Sequence, residues 1–155
     1  MNPAMSEATL SDLASVFSNI LGSAVTTVED LGSLGRNSRV YKITTSDEAQ
    51  YAVKHYFKET DDKRNRLTTE FSSFSYLWEN GERAIPQPVI ADGDSGYAFY
   101  EFINGALIES PAVSAEDLDQ AVAMLARLKN LANGSANKTD GRNSLPLAAE
   151  ACFSL

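Results

Sequence analysis

Cysteine, histidine and basic residues are scarce in this chain, and each shortage excludes a class of function. Its 155 residues contain one cysteine, Cys152, and one histidine, His55. An intramolecular disulfide and a cysteine-cluster zinc site are therefore excluded, and most metal and triad chemistry is removed with them. Lys and Arg number 13 against 21 Asp and Glu, which gives a formal net charge of −8. This balance argues against nucleic acid or an anionic membrane as a partner.

Long apolar runs are also missing. No stretch of about 18 apolar residues occurs, so no transmembrane helix is expected. Residues 1–10 lack the basic start and the apolar core of a signal peptide, and a cytoplasmic location is therefore expected. Hydrophobic residues make up 43% of the chain and charged residues 22%, which is typical of a folded domain rather than of a disordered chain.

Apolar periodicity divides the chain into helices and strands. Apolar residues at helical spacing predict three helices, over about 10–21, 62–80 and 115–132. Runs rich in β-forming residues predict five strands, at 25–31, 39–44, 51–57, 88–91 and 96–103. Ser114, with Asp117 three residues later, predicts a capping box at the start of the third helix. Short polar turns join the first three strands, which indicates an antiparallel meander.

The turn between the first two predicted strands is a candidate phosphate-binding loop. Residues 32–38, GSLGRNS, let backbone N–H groups approach phosphate oxygens without a Cβ in the way. Ser38 could add a hydroxyl donor. The same composition is also typical of a plain tight turn between strands.

Lys54 is a second candidate, because alternation places Ala52, Lys54 and Tyr56 on one face of the third strand. Its ammonium either extends to water or pairs with Glu70, which lies in the apolar stripe of the predicted second helix. A carboxylate there is costly unless it is paired or reaches water. A Lys–Glu pair would hold the ammonium where it can bind phosphates. His55, on the opposite face, is expected to pack rather than to catalyse.

The order of these features matters more than any one of them. Residues 100–105, YEFING, form a strand that runs into glycine, and its backbone could meet an adenine edge or simply end the strand. Along the chain come a glycine-rich loop, a strand lysine, a helix glutamate and then this segment. That is the order of the parts in the small lobe of a kinase.

On these residues the sequence resembles the aminoglycoside phosphotransferase/choline kinase-like family, the phosphotransferase enzyme family. The resemblance covers about residues 25–131 and runs through GRNSRVYKI, YAVKHYF, RNRLTTEFSSFSYLWENG and IPQPVIADGDSGYAFYEFINGALI. It implies an α+β, protein-kinase-like small lobe with about five antiparallel strands and one packed helix. It also implies an N-terminal helical segment at 1–24, the nucleotide-binding lobe at 25–105, and a linker with the start of an incomplete helical second lobe at 106–155.

The resemblance assigns roles to ten residues. Three would cover the ATP phosphates: Gly35, Asn37 and Ser38. Two would line the adenine pocket: Val40 and Ala52. Lys54 would hold the α- and β-phosphates with Glu70 as its ion-pair partner. Tyr100 would lie at the back of the nucleotide pocket. Glu101 and Ile103 would contact adenine through their backbones.

The activity that the resemblance implies is transfer of the γ-phosphoryl group of ATP, with Mg²⁺, to a hydroxyl of a small-molecule acceptor. The catalytic H-x-D pattern of the family is absent, because the only histidine is His55. The aspartates after position 105 are expected on a helix and a loop, not on the metal-binding strand of the family: Asp117, Asp119 and Asp140. No catalytic or metal-ligating residue is therefore expected in this chain, which alone should be inactive.

Two other interpretations remain open at this point. The chain could be a stand-alone binding or regulatory module that keeps the fold of a kinase lobe, or an α+β domain whose kinase-like order is coincidental. If the chain is the small lobe of a larger kinase-like protein, the apolar faces of 115–132 and 145–155 are expected to lack part of their cover, which predicts self-association or marginal stability.

Overall fold

The computed structural model describes residues 7–33, 38–57, 65–106 and 108–136, and every structural statement below concerns those residues. They form three α-helices, five strands and one 3₁₀ turn. In chain order these are α1 Glu7–Leu21, β1 Val25–Gly32, β2 Ser38–Thr45, β3 Gln50–Tyr56, α2 Arg66–Glu79, β4 Pro88–Asp92, β5 Tyr97–Glu101, the 3₁₀ turn Ser110–Ala112, and α3 Ala115–Ala136.

The five strands form one antiparallel sheet in the order β1-β2-β3-β5-β4. β1, β2 and β3 make the predicted meander, and β5 then pairs with the free edge of β3. The register sets Val40 of β2 opposite Lys54 of β3, and Ala52 of β3 opposite Tyr100 of β5. The sheet thus brings together residues that are far apart in the sequence and confirms the predicted kinase-like small-lobe architecture.

Each face of the sheet is covered by a helix. On the first, here called the α1 face, Phe17 of α1 packs into a buried cluster with Tyr41, Ile43, Val53, Tyr97 and Phe99. On the second, the α2 face, Leu67 of α2 packs with Tyr56, Ala98 and Tyr100, and Phe71 and Phe74 of α2 close over them. The sequence predicted one packed helix. Two are present because β3 and β5 alternate apolar side chains onto both faces, and each face excludes water only under a helix.

The two ends of α2 are fixed by local hydrogen bonds. Asn65 caps the N-terminus, since its side-chain oxygen accepts the Thr68 N–H at 3.0 Å. The helix therefore begins at Arg66, later than the predicted start near residue 62. At the other end Gly81 has φ +88°, and the N–H of Glu82 donates to the Leu77 carbonyl at 3.0 Å. This Schellman arrangement stops the helix at the predicted glycine and aims Glu82 back at the protein.

The third helix begins at the predicted capping box. The N–H of Asp117 donates to Ser114 Oγ at 3.2 Å, and Asp117 Oδ2 accepts the Ser114 N–H at 2.8 Å. The side chains of Leu118, Val122 and Leu125 lie 59%, 64% and 55% exposed along α3. One face of this helix is therefore apolar and uncovered by the described residues.

No helix in the described ranges is both long and apolar enough to cross a membrane.

Candidate nucleotide-binding site

Lys54 and Glu70 form an ion pair on the α2 face. Lys54 Nζ donates to both carboxylate oxygens of Glu70, at 2.7 Å each. The side chains are 27% and 34% exposed, so the pair is partly shielded but reaches solvent. The pairing arises because alternation points Lys54 out of the middle strand, while Glu70 follows one turn after the start of α2. The geometry confirms the predicted pair and rejects the alternative in which each group only meets water.

The Lys54 ammonium keeps donor capacity for a ligand. An ammonium carries three N–H donors, and the two bonds to Glu70 leave one of them for another acceptor. The positive group also lies 4.8 Å from the centre of the Tyr56 ring, which is on the same face of β3. A long, flexible side chain is thus restrained at its charged end by a carboxylate and an aromatic ring.

Three further predicted residues share this face. Ala52 lies two residues before Lys54 on β3, Val40 lies opposite Lys54 on β2, and Ser38 lies opposite Tyr56 at the start of β2. Ser38, Val40 and Ala52 therefore share the face of the sheet that carries Lys54. Val40 and Ala52 have small side chains, which leave room for a flat ring to stack on the sheet at this point.

Tyr100 forms the back wall of the α2 face. It is 5% exposed and contacts Phe71 and Phe74 of α2 at ring-centroid distances of 5.9 and 5.5 Å. Its hydroxyl lies 3.2 Å from that of Tyr56. Burial raises the pKa of Tyr100 to about 12, so its phenol is neutral at physiological pH.

Glu101 and Ile103 lie where β5 ends and the linker begins. The Glu101 N–H donates to the Gln87 carbonyl at 2.8 Å, so an adenine contact through this residue is restricted to its carbonyl. Ile103 follows the last strand residue, and its side chain is 57% exposed. The strand was predicted to reach Ile103 but stops at Glu101, which pairs with Tyr51 at the beginning of β3; the Phe102 N–H still donates to the Gln50 carbonyl at 3.3 Å.

Gly35 and Asn37 lie outside the described residues. The base of their hairpin is described, and it holds an ion pair that sequence reasoning missed. The Arg39 guanidinium donates to both oxygens of Asp30, and Asp30 Oδ1 also accepts the Gly32 N–H at 2.9 Å. The hydrogen bond from Arg39 is the main reason that the pKa of Asp30 is lowered. The sequence feature that could have predicted this ion pair is the opposite charge of Asp30 and Arg39 on two strands joined by a short turn.

His55 lies on the α1 face, away from Lys54. Its ring contacts Tyr97 at 4.4 Å and Phe57 at 5.0 Å between centroids, and burial lowers its pKa. The sequence predicted that His55 packs on the apolar face of β3, and the structure agrees. The imidazole of His55 therefore lies on the opposite face of the sheet from the Lys54 ammonium.

The described residues offer no metal site, since no group of three or more His, Cys, Asp or Glu side chains converges in them. A cavity of about 450 Å³ lies between α1 and β1, on the side of the sheet away from Lys54. One of its polar groups, Ser18 Oγ, already donates to the Ala14 carbonyl and accepts the Val25 N–H. This cavity is therefore distinct from the ion pair, and its geometry indicates no chemistry.

Comparisons with known proteins concern the family and the fold. The model of the phosphotransferase enzyme family matches residues 31–151. No curated protein sequence shows a significant match to the chain. Among solved structures, spectinomycin phosphotransferase in complex with ADP and spectinomycin superimposes with a TM-score of 0.64 at 14% identity. That superposition covers 97% of this chain and 42% of the other.

The Rio2 kinase complex with ADP, Mg²⁺ and phosphoaspartate from Chaetomium thermophilum superimposes with a TM-score of 0.56 at 16% identity. It covers 85% of this chain and 45% of that one. The chain thus spans less than half the length of either structure, and identities this low show the fold alone. The family match extends over most of the sequence, including the Lys54–Glu70 pair, and the chain belongs to the phosphotransferase enzyme family.

Proposed function

We propose that this chain is the nucleotide-binding lobe of a phosphotransferase that moves the γ-phosphoryl group of ATP to a hydroxyl of a small molecule. The observation that carries the proposal is the Lys54–Glu70 pair at 2.7 Å, on the face that also holds Ser38, Val40 and Ala52. The family and the kinase-like fold support it.

Charge explains why this lysine has to be held. The chain carries a net charge of −8, so its overall field repels a nucleotide. A cation fixed close to the phosphates offsets this repulsion. Glu70 orients the ammonium and leaves one N–H donor for a phosphate oxygen. Lys54 therefore holds the α- and β-phosphates in this proposal, and the glycine-rich hairpin, with Gly35, Asn37 and Ser38, covers them.

The adenine ring would lie further along the same face. Val40 and Ala52 provide its apolar floor, and Tyr100 closes the space behind it. Ile103 supplies exposed apolar surface beyond the end of β5. The polar edge of the ring would then meet the Glu101 carbonyl and the backbone of Ile103, because the Glu101 N–H is already bonded to Gln87.

The chemical step needs groups that the described residues do not supply. The only histidine is packed on the α1 face, and no acidic cluster among the described residues would hold Mg²⁺. The residues present therefore do not fit a Mg²⁺ site. We assign the base, the metal ligands and the acceptor site to a helical second lobe that begins after the linker at residue 106. The chain by itself is expected to bind nucleotide without turnover.

Replacing Lys54 by methionine tests the site. The substitution removes the ammonium and keeps most of the apolar stem, so phosphate binding is expected to fall at least tenfold, the value of a charge-assisted hydrogen bond of about 1.5–3 kcal/mol. Thermal melting of the 155-residue chain with and without ADP measures it. The wild type is expected to gain several degrees in Tm with millimolar ADP, and Lys54→Met to gain less than one.

Lys129→Ala is the matched control, because it removes the same charge from an exposed position on α3. Its ADP-dependent gain in Tm is expected to equal that of the wild type. A Lys54→Met protein that is stabilised by ADP as strongly as the wild type would refute the nucleotide site.

The alternative is a stand-alone, non-catalytic module with the same fold. Its acidic charge and ordinary globular composition are compatible with such a module. The two functions differ in the native gene product. A product about twice as long, with H-x-D and a metal-binding aspartate, supports the enzyme, whereas a native product of 155 residues supports the module.

The exposed apolar face of α3 is proposed to associate with a second copy of the chain. Leu118, Val122 and Leu125 recur at helical spacing and are all more than half exposed. The weight-average mass in sedimentation is expected to rise with concentration for the wild type and to stay monomeric for Val122→Lys. Ala123→Lys, also exposed on α3, is the control. A wild-type mass that is monomeric up to millimolar concentration contradicts the proposal.

A further inference from the structure

Tyr56 is in contact with the charged end of Lys54, although neither the sequence nor the resemblance gives it a role. It follows Lys54 by two residues on β3 and is therefore on the same face. The Lys54 Nζ lies 4.8 Å from the centre of the Tyr56 ring. The face of an aromatic ring is negative, so it attracts an ammonium at this distance.

The Tyr56 ring is itself held in place. The residue is 6% exposed, and its hydroxyl lies 3.2 Å from the hydroxyl of Tyr100, which is also buried. Tyr100 in turn contacts Phe71, the residue next to Glu70 on α2. A closed circuit of contacts thus runs from Lys54 to Glu70, through α2 to Tyr100, and through Tyr56 back to Lys54.

The ring stays neutral in this circuit. Burial is the main cause that raises the pKa of the Tyr56 hydroxyl, and the hydrogen bonds and charges of Tyr100 and Glu70 add to it. A tyrosinate at this position would pair with the ammonium and withdraw it from a ligand. The neutral ring instead restrains the ammonium while leaving its remaining donor available.

We propose that Tyr56 is a positioning residue for Lys54, whose ring fixes the ammonium where it meets the nucleotide phosphates. The inference rests on the proposed function, and it extends that function to a residue outside the expected site. It differs from a purely structural role in one respect. Loss of the ring should weaken the binding of phosphates and leave the binding of the adenine and ribose unchanged.

Tyr56→Leu and Tyr56→Phe, compared in ADP and adenosine titrations, separate these roles. Leucine keeps apolar volume without a ring, and the expected loss of ADP affinity is about 2- to 30-fold, the range of a cation–π contact. Phenylalanine keeps the ring, so ADP affinity is expected to stay within about twofold of the wild type. Adenosine has no phosphate, and its affinity is expected to be the same in all three proteins. The full 155-residue chain is used, with NMR titration to reach weak affinities.

The outcomes are distinct. Equal losses of ADP and adenosine affinity in Tyr56→Leu mean that the residue only supports the fold, and they overturn the inference while the proposed function stands. An unchanged ADP affinity in Tyr56→Leu overturns it in the same way. A wild type that binds neither ligand overturns the proposed function and this inference together.

A spectroscopic measurement on the wild type covers the case in which Tyr56→Leu does not fold. The ring current of Tyr56 should move the ε-methylene proton resonances of Lys54 upfield relative to those of the exposed Lys129. The same displacement is expected in Tyr56→Phe. Lys54 resonances that coincide with those of Lys129 in the wild type would show that the ring does not hold the side chain, and would overturn the inference.

Discussion

Replacing Phe17 with alanine is expected to lower the free energy of unfolding by about 3–5 kcal/mol, the usual cost of deleting a buried aromatic side chain. Phe17 is fully buried, and its ring meets those of Tyr41, Tyr97 and Phe99 at centroid distances of 5.1–5.7 Å. Two of these contacts are edge-to-face, which is a favourable arrangement for aromatic pairs. From residue 9 to the end of α1 no other side chain is fully buried, so the cavity left by alanine removes the main described attachment of α1 to the sheet.

Urea unfolding followed by circular dichroism measures this loss. A small domain has about 5–15 kcal/mol of stability, so the variant is expected to unfold at a much lower urea concentration. Val16→Ala is the matched control, because Val16 precedes Phe17 in the same helix and is 39% exposed. A loss in Phe17→Ala no larger than that in Val16→Ala would mean that α1 does not pack on the sheet as described.

Replacing Glu82 with glutamine is expected to lower the free energy of unfolding by about 2–3 kcal/mol at pH 7. This figure is the free-energy equivalent of the lowered pKa of the carboxyl, reduced because its partner Arg127 is exposed to solvent. Glu82 is 3% exposed and accepts the N–H groups of Arg83 and Ala84 at 3.0 and 2.8 Å. Arg127 of α3 donates to both of its oxygens, at 2.8 and 3.2 Å. Glutamine keeps the shape but loses the charge, and its amide replaces one acceptor with a donor.

The effect should depend on pH in a defined direction. The pKa of Glu82 is about 2, below its ordinary value of 4.5. The hydrogen bond from Arg127 is the main cause, and the hydrogen bond from the Ala84 N–H is the next. A carboxyl with a depressed pKa in the folded state contributes its full stabilisation above its unfolded value, and the contribution is lost as the pH falls. The difference between wild type and Glu82→Gln is therefore expected to be constant above about pH 5 and to shrink towards pH 2.

Chemical unfolding of both proteins between pH 7 and pH 2 checks this. Glu79→Gln, at the exposed end of α2, is the control and is expected to lie close to the wild type at every pH. The difference in stability between the wild type and Arg127→Ala should show most of the same pH dependence, because the hydrogen bond from Arg127 contributes most to the lowered pKa of Glu82. A difference between wild type and Glu82→Gln that does not change with pH would contradict the ion pair with α3.

Local periodicity predicted the strands and the faces on which Lys54 and Glu70 lie, while the family resemblance implied that these two residues pair. Alternation along β3 decided which face carries Lys54, and helical spacing placed Glu70 on the inner side of α2. Once the meander brings β3 under α2, a lysine and a glutamate on facing surfaces have a strong electrostatic reason to pair. His55 was placed correctly by the same alternation.

The packing of α1 was not predictable in this way. Its apolar stripe indicated an amphipathic helix, but periodicity does not say which surface the stripe meets. The answer depends on the far side of β3 and β5, where Val53 and Phe99 are buried against Phe17. That surface exists only after β2, β3 and β5 have paired.

The Glu82–Arg127 pair was missed for a related reason. The two residues are 45 positions apart, and Arg127 looks like one more solvent-facing charge on α3. The usable signal was Glu82 itself, a charged residue directly after the glycine that ends α2. The Schellman turn at Gly81 directs the following residue back towards the helix, which favours burial there. Only the path of the linker between β5 and α3 brings Arg127 to it.

The most direct test of the central claim is a titration of the isotopically labelled wild-type chain with ADP, followed residue by residue by NMR. The account predicts shift changes at Val40, Ala52, Lys54 and Ile103, on the α2 face and at the end of β5. Residues of the α1 face, such as Phe17 and His55, are expected to change little. Shift changes confined to the cavity between α1 and β1, or none at millimolar ADP, would contradict the assignment of the α2 face as the nucleotide site.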